Sequence, residues 1–320
     1  MTAPDPQISI VLPVRNGARH LRRSLPAVFA QAAPPFEVIV VDSGSTDRSL
    51  EICRKWPVRI IEIAPRDFNH GATRNLGASQ ARGEFLVFLV QDAVPADDRW
   101  LERLVAPLRE QRMLAGTWSH ETPFPDQDPR IAEGPAPPGL QIYSRRTVPD
   151  VRSLPPWEAH AHYAFCDVSS CMRRSVWERF PFRPLSFSED TDWNRRILAA
   201  GYEVAFVPDS VVHHSHLDRP WLYHFRRGYT DVHSLYAVLE LTHRPRLVEA
   251  AARIFRTGYG FLRETLRQGL RGSSRALYFA ETGAKTVARQ IGESLAGLAV
   301  MNPERRRWLA SIDRLIRRGL

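Results

Sequence analysis

Four polar clusters in this chain combine residue types able to move a proton, hold a cation or meet a phosphate. The first, Asp42-Ser43-Gly44-Ser45-Thr46-Asp47, follows an apolar run from Phe36 to Val41. Its leading aspartate can accept hydrogen bonds from a base or ribose while the turn offers backbone N–H groups. The same residues also read as a helix start, with Ser45 or Thr46 satisfying free N–H groups and Asp47 complementing the helix dipole. The second, Gln91-Asp92, follows the run from Glu84 to Val90. A carboxylate there can ligate a hard divalent cation, Mg²⁺ or Mn²⁺, itself bound to a diphosphate, or it can simply open a turn. Asp97 and Asp98 close behind read as ordinary helix-start carboxylates. The third, Glu189-Asp190, opens a helical pattern. Adjacent side chains diverge, so one carboxylate can face a ligand while the other holds a loop. The fourth is His213-His214-Ser215-His216, in which strand alternation puts His214 and His216 on one face. Histidine is a common metal ligand. No Cys/His spacing completes a tetrahedral zinc set, and a plain polar turn is the competing reading.

Such clusters are useful only if a scaffold gathers them. Ile8 to Pro13, Phe36 to Val41, Val58 to Ile63 and Glu84 to Val90 read as strands buried on both faces. Helical patterns over 18–31, through Arg54, and over 71–82 separate them. This alternation predicts an α/β fold with a mostly parallel sheet and right-handed crossovers. Ligands on such sheets sit beyond the carboxyl ends of the strands, so Arg15 and Asn16, the Asp42 cluster and Gln91-Asp92 are expected to converge. Residues 122–156 are proline-rich and read as an irregular excursion. Beyond them, Ala164 to Met172 reads as a strand, Arg174 to Arg179 as a short helix, and Ser188 as the cap of a helix running to Ala200. Tyr202 to Val207 reads as a strand leading to the histidines. From Pro220 the pattern is helical, with Leu247, Ala251, Ile254, Phe255, Gly258, Leu262, Leu266 and Leu270 at three- and four-residue spacing and arginines between them.

Composition sets the outer bounds. The chain has 320 residues, 43% hydrophobic and 25% charged, which fits a folded globular protein and excludes a disordered or collagen-like one. Three scattered cysteines, Cys53, Cys166 and Cys171, do not make a disulfide framework and point to a reducing compartment with the thiols as core filler. The first residues lack the pattern of an export signal, and no apolar run reaches the roughly 18 residues of a spanning helix. The net charge of +9 is concentrated: residues 1–215 hold 25 basic and 26 acidic side chains, residues 216–320 hold 19 and 9. Only Lys55 and Lys285 are lysines, so the surplus is arginine, suited to bidentate phosphate contact. A solvated surface, an anionic membrane and a phosphorylated substrate all fit. Nucleic acid is not expected, because the aromatic and basic interleaving of a known module is missing.

In this order the motifs resemble the inverting glycosyltransferases of family 2, which have the GT-A fold. The resemblance covers about residues 7–230. It is carried by Ile10-Val11-Leu12-Pro13-Val14-Arg15-Asn16, Val40-Val41 with the Asp42 cluster, Arg74-Asn75-Leu76-Gly77, the segment from Phe88 to Pro95, and Ser188-Glu189-Asp190-Thr191-Asp192-Trp193. A finer likeness, to the rhamnosyltransferase branch of bacterial surface-polysaccharide enzymes, lies in the segment from Phe68 to Asn75, Gln91-Asp92-Ala93 and His214-Ser215-His216.

The resemblance implies a donor pocket lined by Pro13, Arg15, Asn16, Asp42, Ser45, Arg74 and Gln91, with Asp42 facing the base and Arg74 near the diphosphate. It implies Asp190 as general base with Glu189 beside it, and Mg²⁺ or Mn²⁺ held by Asp92 with His214 or His216. The family's Asp-x-Asp has Val90 at its first position here. The implied organisation is a GT-A domain over 1–220, with 1–95 binding the nucleotide sugar and 96–220 serving acceptor and catalysis. A basic amphipathic helical region over 221–320 follows. The implied partners are a nucleotide-diphosphate sugar and a glycan or lipid-linked acceptor. For the helical region, docking on the cytoplasmic membrane face and packing on the sheet or in a homodimer stand as equal alternatives. A sugar-nucleotide-binding protein without catalysis is the alternative to the transferase.

Overall fold

The computed structural model describes residues 5–33, 35–124, 138–216, 219–244, 247–269, 273–300 and 316. It divides into two compact units, Met1–Pro149 with His162–Ser215, and Asp150–Ala161 with His216–Leu320. This division lies a few residues before the expected one at 220, and residues 150–161 pack with the helical unit rather than with the first.

The first unit alternates strands and helices: β1 (Ile8–Val14), α1 (Ala18–Phe29), β2 (Phe36–Asp42), α2 (Ser49–Cys53), β3 (Val58–Glu62), α3 (His70–Ser79), β4 (Phe85–Leu89), β5 (Val94–Pro95), α4 (Trp100–Glu110), β6 (Leu114–Thr122) and β7 (Gln141–Tyr143). After α5 (Pro156–Ala161), which belongs to the second unit, come β8 (Ser169–Arg173), α6 (Arg174–Arg179), α7 (Glu189–Ala199) and β9 (Glu203–His213). One sheet runs β3-β2-β1-β4-β8-β6-β9-β5, with β7 against β9. The first four strands are parallel, β8 is antiparallel to both its neighbours, and β6 and β9 are parallel to each other.

Alternation along the strands feeds two cores. Ile8, Ile10 and Leu12 of β1 pack with Leu21 and Leu25 of α1 and Trp100, Leu104 and Leu108 of α4. Val11, Ile39, Leu86 and Phe88 face the other side, against Ala78 of α3, Trp177 of α6 and Trp193 and Ile197 of α7. Covering both faces is what allows these strands to be apolar throughout. Two expectations need correction. Residues 164–168 are not strand; β8 begins at Ser169. The proline-rich excursion contains β7, which pairs with β9, while its residues 125–137 lie outside the described ones.

Register brings several strand ends to one rim. Leu89, the end of β4, pairs with Ser169, the start of β8, and Trp118 in the middle of β6 pairs with Ser170. Thr122 pairs with His213, and Val94 pairs with the same His213 from the other side. The segments after β1, β2, β4, β6 and β9 and the one before β8 therefore emerge together.

The second unit is built from α5, α8 (Trp221–Val238), α9 (Leu247–Gly269) and α10 (Ser273–Val300). Gly292 sets how closely α8 and α10 approach: a Cβ there would lie 2.1 Å from the Phe225 carbonyl oxygen. Asp231 on α8 is held by Arg227 at 2.9 Å and by Arg289 of α10 at 2.8 Å. Among the described residues no helix is long and apolar enough to cross a membrane. Leu270 of the expected apolar pattern lies outside the described residues.

Candidate active site

The loops after β1, β2 and β4 are sewn together by side chains bonding to backbone. Asn16 sits at φ 47°, a left-handed conformation asparagine tolerates. Its Oδ1 accepts from the Thr46 N–H at 2.8 Å, and its own N–H donates to Ser45 Oγ at 2.9 Å. The Gly17 N–H donates to Ser49 Oγ and the Ala18 N–H to Asp47 Oδ2. Gln91 closes the third side, accepting from the Arg15 N–H at 3.0 Å and donating to the Arg15 carbonyl at 3.2 Å. The expected convergence is thus present.

Asp42 works first on its own turn. It is 1% exposed, with Oδ1 accepting from the Gly44 and Ser45 N–H groups, both at 2.9 Å, and Oδ2 from the Ser45 hydroxyl. Pro13 is partly buried in β1, and Arg15 is exposed at the rim with no ion pair among the described residues. Asp97 plays the helix-start role, accepting from the Arg99 N–H and from Arg103.

Arg74 departs from expectation. It is 5% exposed and its charge is consumed by carboxylates rather than offered to a diphosphate: Nη1 donates to Glu189 Oε1 at 3.0 Å, and Nε lies 3.6 Å from Asp167 Oδ2. Glu189 is likewise buried, so it is a positioning residue, and the divergence of neighbouring side chains leaves the partly buried Asp190 as the carboxylate closer to solvent. Asp190 Oδ1 accepts from the Thr191 N–H at 2.7 Å. Burial pushes Asp167 up to about 8; Arg74 opposes this, while Asp190 and Glu189 add to it. Ser170 donates to the other Asp167 oxygen at 2.8 Å.

Asn75, next to Arg74, explains the rest of that motif. Its side chain donates to the Phe182 carbonyl and accepts from the Phe182 N–H and from Trp177 Nε1. Asn69 caps α3 and donates to the Leu185 carbonyl at 2.7 Å. At Gly71 a Cβ would sit 2.4 Å from the Arg183 carbonyl oxygen, so only glycine lets α3 lie this close to the segment leading to α7. α3 is therefore a clamp on the loop that delivers Asp190. Ser188 precedes α7 at φ 60° and makes no side-chain cap bond, against expectation. Replacing Arg74 by leucine strands two buried carboxylates, so a loss of about 3 to 5 kcal/mol is expected. Thermal or urea unfolding of the variant beside the native chain measures it.

The histidine cluster meets Asp92. One ligand atom from each of Asp92, His214 and His216 lies within 4.8 Å of the others. His214 Nε2 is 3.8 Å from Asp92 Oδ1, while its Nδ1 is 2.8 Å from Glu121 Oε2. With Glu121 ionised, the proton sits on Nδ1 and the Nε2 lone pair faces Asp92, the arrangement in which a carboxylate orients a metal-ligating imidazole. His213 points elsewhere, to Thr122 Oγ1 at 3.0 Å. One carboxylate and two imidazoles fit a divalent cation.

Val90, at the position where the family has its first aspartate, donates its N–H to the Val168 carbonyl and packs against the core. Glu121 and Asp167 lie outside the motifs that the sequence marks. Cys166 is not filler: its thiol donates to Glu121 Oε1 at 2.9 Å, and burial with the nearby Glu121 and Asp190 carboxylates pushes it well above the ordinary thiol range. Glu121 and Cys166 thereby link the metal-ligand cluster to the surroundings of Asp190. Glu121→Gln should weaken divalent metal binding about 10- to 100-fold with little change in unfolding midpoint. Titration of Mn²⁺ against the native chain and the variant reads this.

Comparison with known proteins follows the same lines. Residues 9–175 match the profile of Glycosyl transferase family 2. The O-antigen chain rhamnosyltransferase WbaN of Salmonella anatum is 29% identical over 226 residues, 66% of this chain and 67% of that protein. Among solved structures, S. aureus TarS 1–349 in complex with UDP superposes with a TM-score of 0.52 at 16% identity, over 88% of this chain and 90% of that one. GalNAc-T7 with UDP, GalNAc and Mn²⁺ gives a TM-score of 0.52 at 20% identity, over 66% of this chain and 43% of that one. The structural likenesses establish the GT-A fold; with the profile match over more than half of the chain, they show that this protein is a glycosyltransferase belonging to family 2.

Proposed function

We propose that the chain transfers a sugar, with rhamnose the first choice, from a nucleotide-diphosphate donor to a hydroxyl of a glycan or lipid-linked acceptor, inverting the anomeric centre, in bacterial surface-polysaccharide assembly. The name of the Salmonella relative, an O-antigen chain rhamnosyltransferase, supports the sugar and the setting. What supports this reading is the partly buried Asp190 next to the Glu189–Arg74 pair and near Cys166 and Asp167, with the Cys166 thiol bonded to the same Glu121 that orients His214. Residues 1–95 supply the donor half and 96–220 the acceptor half. The free thiols suit a cytoplasmic setting.

Asp190 takes the proton from the acceptor hydroxyl as its oxygen bonds to the anomeric carbon. The bond from that carbon to the diphosphate oxygen breaks on the opposite face, with its electron pair leaving on the nucleoside diphosphate. Asn16 and Ser45 shape the donor loop, Pro13 and Gln91 line it, and Asp42 holds the turn that meets the base. Arg15, exposed and unpaired among the described residues, replaces Arg74 as the cation for the diphosphate. A divalent cation at Asp92, His214 and His216 would neutralise charge on the leaving group. Two imidazoles beside one carboxylate favour Mn²⁺ over the harder Mg²⁺. Asp190 and the ligand cluster speak against the non-catalytic alternative.

Thermal shift with a panel of nucleoside diphosphate sugars, rhamnose donors included, with and without Mn²⁺, tests the reading. A metal-dependent rise with a rhamnose donor, followed by transfer with inversion, is expected. No shift with any donor in the presence of Mn²⁺ would overturn it.

A further inference from the structure

Helix α9 carries a row of large apolar side chains that are exposed among the described residues. Val248, Phe255, Tyr259, Leu262 and Leu266 are 80%, 73%, 59%, 56% and 65% exposed. Their spacing of seven, four, three and four residues puts them on one narrow stripe. Single exposed hydrophobics are ordinary, but a continuous row marks a docking face. The bundle-facing side of α9 is a different one. Phe261 lies against Gly283, Thr257 accepts from Gln290 at 2.9 Å, and Arg253 pairs with Glu293 at 3.3 Å, all on α10.

Charge decides what covers the stripe. Arg256 and Arg263 flank it, both exposed and neither in an ion pair among the described residues. The α9 sequence holds four arginines against two glutamates, and Glu264, next to Arg263, is half-buried. Residues 216–320 as a whole hold 19 basic and 9 acidic side chains. A stripe of Phe, Tyr and Leu bordered by arginine has the character of a helix lying in the plane of a bilayer, with apolar side chains among acyl chains and guanidinium groups at lipid phosphates. From Val248 to Leu266 the stripe runs about 27 Å, and it lies on the surface rather than crossing.

We propose that the helical unit docks on an anionic membrane surface through this stripe of α9, independently of the sugar-transfer reading. The test is cosedimentation of the full chain with vesicles of phosphatidylcholine, alone or with phosphatidylglycerol. Binding to the mixed vesicles that weakens with added salt is expected. Phe255→Glu with Leu262→Glu should lower partitioning at least about tenfold. Loss of each arginine in Arg256→Ala and Arg263→Ala should lower it roughly fivefold. Because these side chains are exposed, unfolding midpoints and donor-induced thermal shifts should match the native chain, which separates failure here from failure of the donor site. Three results would overturn the proposal. They are native chain that stays in the supernatant with anionic vesicles, a glutamate variant that sediments like the native chain, or a native dimer that the glutamate variant converts to monomer.

Discussion

Asp190→Asn should cut sugar transfer about 10²- to 10⁴-fold while leaving donor affinity close to native, because a carboxamide keeps the shape of the base but cannot take the proton. The variant retains an oxygen for the Thr191 N–H, which Asp190 Oδ1 accepts at 2.7 Å, so the start of α7 should hold its conformation. Glu189→Gln is the informative control. Glu189 is buried against Arg74, so its replacement should lower stability and misplace Asp190. Transfer should then fall together with the unfolding midpoint. Single-turnover rates and donor titration on both variants separate the roles. Full transfer by Asp190→Asn would remove that residue from the chemistry.

Asp92→Asn should be nearly as severe. The carboxylate supplies the negative charge in a set otherwise made of neutral imidazoles, and losing it gives up metal affinity and leaving-group stabilisation together. A loss on the order of 10³-fold at limiting metal follows from the several kcal/mol such a cation supplies. Part of it should return as Mn²⁺ is raised, since His214 remains oriented by Glu121. Chelation should abolish transfer by the native chain, and Mn²⁺ should restore it. Transfer by Asp92→Asn with an unchanged metal dependence would place the cation elsewhere.

Arg74 shows how the fold gives a motif residue partners that its sequence neighbourhood does not name. Arg74 falls in a segment shared with the family and looks like a phosphate ligand, but its guanidinium is buried between Glu189 and Asp167. Its work on the reaction is indirect: with Asn75 and Asn69 it fixes the segment from Phe182 to Glu189. Arg15 is the exposed cation at the loops after β1, β2 and β4. In the same way the C-terminal helical pattern was legible as amphipathic, yet nothing in its spacing told whether the apolar stripe faces the bundle or solvent. On α9 the side toward α10 holds Phe261 and Thr257, and the stripe with Phe255 and Leu262 looks outward.

From its sequence alone this protein declared an α/β fold and the strand ends where polar clusters collect; the nearness of Asp92 to the histidines after β9 was left to the fold. The fold class and the strand ends depend on periodicity and on the rule that ligands sit beyond strand termini, both of which are local. Tertiary structure decided which charges are spent on each other. Arg74 meets Glu189 across 115 residues of chain, and Glu121 meets His214 across 93. Neither partner carries a mark of the other in its own neighbourhood, because an ion pair or an oriented imidazole exists only once folding closes the loop between them. That closure makes Glu189 a strut, leaves Asp190 the more exposed of the two carboxylates, and aims the Nε2 lone pair of His214 at Asp92.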